Sequence, residues 1–221
     1  MIKLDNTQKI WITSDTHAYH KNICRGTTDW RLPDGSVPVK QTRDFTDEFT
    51  MTDIMCNQIN DIVGQDDILI HLGDWSFGGF ENIKIFRDRV VCQNIHLILG
   101  NHDHHIEKNR DGCRGYFKSV SHYEKMMLKL GKETYNFVLM HYPISSWDNL
   151  NNGVIHLHGH THLPTNMRFG KGRRMDVGID GHPDFRPYDL VREVLPLVKK
   201  RDILSEMSKD HHTDTLKGVV G

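Results

Sequence analysis

Cysteine is scarce: Cys24, Cys56, Cys92 and Cys113 are the four in 221 residues, far apart and with no C-x-x-C pair. That spacing excludes a zinc knuckle and a secreted disulfide framework, and it suits a reducing, cytoplasmic setting. Long apolar runs are missing too. No stretch approaches the ~20 residues that span a bilayer, and residues 1–9 lack the apolar core of a signal peptide. The expectation is a soluble intracellular protein with no membrane partner. Net charge is also absent, since 28 basic side chains meet 29 acidic ones. No global positive field draws the chain to nucleic acid, so an anionic substrate must be caught locally. Without internal repeats, low-complexity tracts or an interdomain linker, the chain reads as one domain over residues 1–207 with a polar tail at 208–221.

Histidine, in contrast, is abundant, with sixteen copies, and it supplies metal ligands or proton carriers near neutral pH. Short apolar runs punctuate the chain at 10–13, 68–72, 95–99, 137–140 and 154–157, each with the length and composition of a buried strand. Over 47–63, Phe49, Thr52, Met55, Ile59 and Ile62 recur at the three- and four-residue spacing of a core-facing helix. Residues 80–90 predict a second helix. Strand and helix thus alternate early, as in βαβ units with a largely parallel sheet, while 123–130 and 133–140 flank Gly131 and Lys132 as an antiparallel hairpin. A mixed sheet or two packed sheets follows, of class α/β or α+β. Pro187 is positioned to open a C-terminal helix and Pro196 to break or kink it.

Each apolar run is followed within a few residues by groups that bind metals. The first leads to Asp15 and His17, the second to Asp74, and the third to Asn101, His102 and Asp103. The fourth meets His141 and the fifth His160 and His162. The carboxyl ends of strands in an open α/β sheet face one crevice, so these residues can converge from distant positions. Gly73, Gly100 and Gly159 precede the polar groups, where the backbone must turn sharply beside a ligand. Taken singly, Asp15 reads as a helix cap and Asn101 as a turn residue; five coincidences in series read as a site. The set of two carboxylates, one amide oxygen and four imidazoles suits manganese, iron, zinc or nickel rather than calcium. His158 shares a strand face with His156 and His160, which leaves open which of them enters the site.

Asp15-Thr16-His17, Gly73-Asp74, Gly100-Asn101-His102-Asp103, His141 and Gly159-His160-Thr161-His162 resemble, in order, the five signature motifs of the calcineurin-like metallophosphoesterases. Ser-Asp-Thr-His-Ala-Tyr-His-Lys-Asn-Ile at 14–23 and His-Tyr-Pro-Ile-Ser-Ser-Trp at 141–147 further resemble a small subgroup from bacteria and their viruses. The resemblance implies two packed mixed β-sheets flanked by helices, and a centre of two divalent metal ions. It implies that Asp15, His17 and His162 hold one metal, that Asn101, His141 and His160 hold the other, and that Asp74 bridges them. Counted with the two carboxylates, two such ions leave the site with about two positive charges, suited to a phosphate ester. They would supply a water acidified toward neutral pH as the nucleophile, while His102 protonates or stabilises the departing oxygen.

Asp103 carries two readings, orienting His102 or capping a helix. Arg25, Arg43 and Arg110 are candidates for gripping phosphate, against an ordinary surface role for each. Tyr142 can stack on a nucleobase, whereas Trp147 suits core packing. The expected substrate is a small phosphodiester or monoester, with a nucleotide among the candidates. Two alternatives stand beside this: a nuclease using a local groove at the histidine-rich, basic segment 104–114, and a catalytically silent scaffold of the same fold.

Overall fold

A computed structural model of the chain describes residues 1–24 and 43–204. In chain order the elements are β1 (Ile2–Asp5), β2 (Ile10–Thr13), α1 (Glu48–Ile62), β3 (Ile68–His71), α2 (Phe80–Arg89), β4 (Asn94–Ile98) and α3 (His104–Lys108). There follow β5 (Ser119–Ser121), β6 (Tyr123–Leu130), β7 (Glu133–Met140), β8 (Ile155–His158), β9 (Arg174–Asp176), β10 (Tyr188–Asp189) and α4 (Leu195–Lys199). They build two five-stranded sheets, ordered β10-β2-β3-β4-β5 and β1-β6-β7-β8-β9. In the first, β2 to β5 run parallel and β10 closes one edge antiparallel. The second mixes a β6–β7 hairpin with parallel pairs on either side of it.

Alternation of side chains across each strand decides the layering. Ile10, Ile12, Ile68, Ile70 and Ile98 of the first sheet meet Met126, Leu128, Phe137, Leu139, Ile155 and Leu157 of the second in the core between the sheets. Trp11, Leu69, Ile95 and Leu97 point the other way and pack under α1 and α2, against Met55, Ile59, Ile83 and Phe86. Strands β2 and β3 are therefore buried on both faces, which is why they read as unbroken apolar runs. On the outer face of the second sheet Trp147 and Leu150 pack on Val138, while Lys125, Lys129, Thr134 and Asn136 on the same face are exposed.

Helix α1 begins where Asp47 accepts a hydrogen bond from the Thr50 amide at 2.7 Å. Its buried stripe is Met51, Thr52, Met55, Cys56 and Ile59. Phe49, expected on that stripe, is 62% exposed and lies edge-on to Tyr19. The hairpin has the expected turn, with Leu130 opposite Glu133 across Gly131 and Lys132 and Gly131 at φ 60°.

The C-terminal expectation needs correction. Pro187 leads into β10, because Tyr188 and Asp189 pair with Ile12 and Trp11. The helical turns start only after Asp189, which accepts from the Val191 and Arg192 amides. Leu190–Val194 form a π-type turn, and Pro196 sits in the first turn of α4, where a missing amide proton costs little. The proposed tail at 208–221 lies outside the described residues. Within them, the four cysteines are free and buried, and no helix is long and apolar enough to cross a membrane.

Candidate metal centre

The loops leaving β2 and β3 run side by side, tied by backbone hydrogen bonds from Asp15 to Gly73, from His17 to Asp74 and from Ala18 to Trp75. The Ser14 hydroxyl fastens the first loop to the Leu72 carbonyl at 2.9 Å, and the Thr16 hydroxyl donates to Trp75 O at 2.8 Å. Asp15, His17, Asp74, His160 and His162 all have φ between 46° and 69°, a left-handed backbone that non-glycine residues adopt at a cost of order 1–3 kcal/mol each. The fold thus holds five of the seven expected ligands in strained positions, each turning its side chain back toward the same crevice. Close approach is what the glycines allow: a Cβ on Gly100 would overlap Asp74 Oδ1, and one on Gly159 would overlap Ser14 Oγ and Asp15 Oδ2.

Two clusters of donor atoms result, Asp15–His17–His162 and Asp74–His141–His160, each with its atoms within 4.8 Å of one another. In the first, Asp15 Oδ1 lies 3.8 Å from His17 Nε2 and 3.7 Å from His162 Nε2. In the second, Asn101 Oδ1 lies 3.0 Å from His141 Nε2. Asp74 joins them, with Oδ2 3.3 Å from His17 Nε2 and 3.5 Å from His141 Nε2. Its other oxygen accepts the His102 amide at 2.8 Å.

These residues fit a pair of cations. His17 Nε2 is buried and has no hydrogen-bond partner, although it faces two carboxylates. Burial pushes the His17 imidazole down to about 3 and pushes the Asp15 carboxyl above the usual range, so the ring is a neutral donor at physiological pH and the carboxylate is short of positive charge. A cation satisfies both.

Around the donors lies a set of residues that hold them. His162 Nδ1 meets Asp180 Oδ2 at 2.8 Å. Arg43 in turn donates to Asp180 through Nε and Nη2, both at 2.8 Å. Burial lowers the His162 pKa, but the Asp15 charge and the Asp180 hydrogen bond outweigh it and raise the ring above its ordinary value. Burial likewise opposes ionisation of Asp180, and the Arg43 charge overrides it, holding the carboxyl well below the usual range. Asp176 accepts from the Thr161 hydroxyl and the Gly178 amide, bracing the turn between His160 and His162.

Arg43 is accordingly not a phosphate grip. It is fully buried and its remaining donors serve the carbonyls of Asp15 and Thr16 and the Met51 sulfur. Asp103 is corrected as well: its carboxylate accepts the amides of Asp74, Trp75 and Gly100 at 2.7 to 2.9 Å, not the His102 ring, and it makes no side-chain cap on α3. It clamps two loops together, and burial pushes its carboxyl up to about 6. Arg110 is half-exposed and pairs with Glu107 at 4.0 Å. Arg25 lies outside the described residues.

His102 is partly exposed, with its ring 5.4 Å from His17 and 4.8 Å from Phe77. Tyr142, 38% exposed, stands edge-on to His141 and His160. Trp147 is buried and donates to Val154 O, a core residue as expected. His160, in the turn just beyond β8, is the one of the three that enters the cluster; His156 and His158 stay buried on the carbonyls of Val138 and Gly159. Sequence reasoning did not single out Asp176 or Asp180. The only signal for them was the short Asp-Val-Gly-Ile-Asp run that begins at the last residue of β9.

Two packed mixed sheets with metal-binding groups at their strand ends define a metallophosphoesterase architecture. The chain belongs to the calcineurin-like phosphoesterase family, whose model matches residues 8–160. The match takes in every donor except His162, which the fold supplies two residues later. Relatives include the gene 66 protein of Mycobacterium phage D29, 28% identical over 208 residues that cover 84% of this chain and 95% of that protein. The gene 66 protein of Mycobacterium phage L5 is 29% identical over 195 residues, 77% of this chain and 86% of the relative. A crystal structure of a protein of unknown function from Aquifex aeolicus shares the fold, with a TM-score of 0.53 and 18% identity over 82% of this chain and 95% of that one.

Proposed function

We propose that this chain hydrolyses a small phosphate ester at a centre of two divalent cations, with Asp15, His17 and His162 on one, Asn101, His141 and His160 on the other, and Asp74 shared. The observation that carries the reading is the position of Asp74 Oδ2 within 3.5 Å of a ring nitrogen from each cluster. Manganese suits the oxygen and imidazole donors, as do iron, zinc and nickel. The two cations supply an acidified water and electrostatic pull on the phosphoryl oxygens. The remaining work falls to side chains. His102 stands beside the donors and is open to solvent, where it protonates or stabilises the leaving oxygen. Asp103 keeps His102 in place indirectly, by fixing the Gly100 amide against those of Asp74 and Trp75.

The substrate reading favours small esters over nucleic acid strands. Segment 104–114 presents little of the free positive charge a groove would need: Arg114 pairs with Asp111 at 3.1 Å and Arg110 faces Glu107, which leaves Lys108. Tyr142 offers an exposed aromatic edge over the second cluster, suited to a nucleotide-like leaving group. The silent-scaffold alternative fits poorly with a complete donor set that carries backbone strain.

Metal-stripped protein tested on bis(p-nitrophenyl) phosphate and p-nitrophenyl phosphate should gain turnover on addition of Mn(II), and Asp74→Ala should bind neither ion firmly and show none. Turnover independent of metal, or retained in Asp74→Ala, would refute the mechanism. The preferred compound separates diesterase from monoesterase.

A further inference from the structure

His20 stands next to this centre without belonging to either cluster. Its Nδ1 lies 3.3 Å from Nδ1 of His17, the ring nitrogen of that ligand which faces away from the carboxylates. The opposite nitrogen, Nε2, is the buried atom with no partner. His17 therefore has one nitrogen aimed into the donor cluster and the other aimed at His20. A histidine that binds a cation through one nitrogen carries its proton on the other, and the partner of that proton fixes both tautomer and ring orientation. Carboxylates or backbone carbonyls usually fill that role; here the nearest acceptor is another imidazole.

The His20 ring is itself held. It stacks flat on Phe77, with centroids 3.5 Å apart and planes within 7°, and its backbone amide donates to His17 O at 3.0 Å. Phe77 is anchored in turn, because its amide donates to Ala18 O, within the paired loops that follow β2 and β3. The chain of support runs Phe77 to His20 to His17, and every member comes from the loops that carry Asp15 and Asp74.

We propose that His20 is a positioning residue for the Asp15–His17–His162 cation: its Nδ1 accepts the Nδ1 proton of His17 and turns the His17 Nε2 lone pair into the site. This rests on the two-cation reading above. Partners of this kind typically contribute 10- to 100-fold in metal affinity. Asn offers an amide oxygen where Nδ1 of His20 sits, so His20→Asn should preserve the contact, and His20→Ala should abolish it while leaving a cavity beside Phe77.

The test is calorimetric titration of the full chain with Zn(II), read beside the His17 Nδ1–H resonance of the zinc-loaded protein. Wild type should bind two ions and show a protected Nδ1–H. His20→Ala should weaken one of the two steps by roughly 10-fold or more and lose the resonance, and His20→Asn should restore both. Unchanged affinity and resonance in His20→Ala would overturn the proposal. So would His20→Asn behaving like His20→Ala, since that result would leave only ring packing on Phe77. Wild-type protein binding fewer than two zinc ions would instead sink the two-cation reading, and this inference with it.

Discussion

His102 and His17 have rings 5.4 Å apart, yet their tasks differ because their surroundings differ. His17 is buried and neutral; His102 is reached by solvent and bonds the site only through its backbone amide. His102→Ala should therefore keep both cations and lower kcat by about 10²- to 10⁴-fold. Metal titration and steady-state kinetics check it, and unchanged turnover would remove His102 from the chemistry. Arg43 teaches a different lesson. A buried guanidinium paired with a buried carboxylate is dangerous to break, because the survivor has no solvent to turn to. Arg43→Met should cost about 3–5 kcal/mol of stability in urea unfolding, and Arg43→Met combined with Asp180→Asn should cost less than the single change. A single variant as stable as wild type would show that Asp180 is not left uncompensated.

At the level of elements, the strands that aim the donors were legible because their apolar runs are broken only by His71, His96 and His156 and each ends at a glycine or a polar turn. Strands β1, β5, β9 and β10 were not. Ser119–Ser121 and Tyr188–Asp189 have little strand character of their own and pair only because an open edge lies beside them. The donors were legible for the same reason as the strands, while their supports were hidden by distance in sequence: Arg43 and Asp180 are 137 positions apart. Asp103 was misread because adjacency to His102 suggested a partnership that the loop geometry redirects to backbone amides. The turns impose a steric limit that can be measured. Gly159→Ala would drive a methyl group into Ser14 and Asp15, so it should lower Tm and weaken Mn(II) binding, at about 1–3 kcal/mol of stability. Gly64→Ala is the control, because a Cβ there meets Asp67 at an ordinary 3.5 Å. If both variants melted alike, crowding at the strand ends would not be the constraint described here.

For the molecule as a whole, buried neutral histidines make acid the natural denaturant. Burial pushes His71 and His156 down to about 3, from an ordinary value near 6.5 in the unfolded chain. The unfolded state binds more protons between those limits, so stability is complete above pH ~6.5 and falls as pH drops toward 3, by on the order of 1 kcal/mol per pH unit for each ring. Denaturant midpoints of metal-free protein between pH 7 and 4.5 should decline accordingly, and His71→Asn should flatten the slope if it folds. A flat profile in wild type would mean that these rings are protonated in the folded chain.

The donors are divided between the layers. Asp15, His17, Asp74 and Asn101 hang from the first sheet, and His141, His160 and His162 from the second. Each cation would then be a rivet through the seam where the sheets meet, and its free concentration a dial on how firmly the halves are fastened. At 100 times its Kd one ion adds about 2.7 kcal/mol. Starving the protein of metal would loosen the joint as well as silence the chemistry, so a chelator should lower Tm and bring unfolding forward along the interface between the sheets.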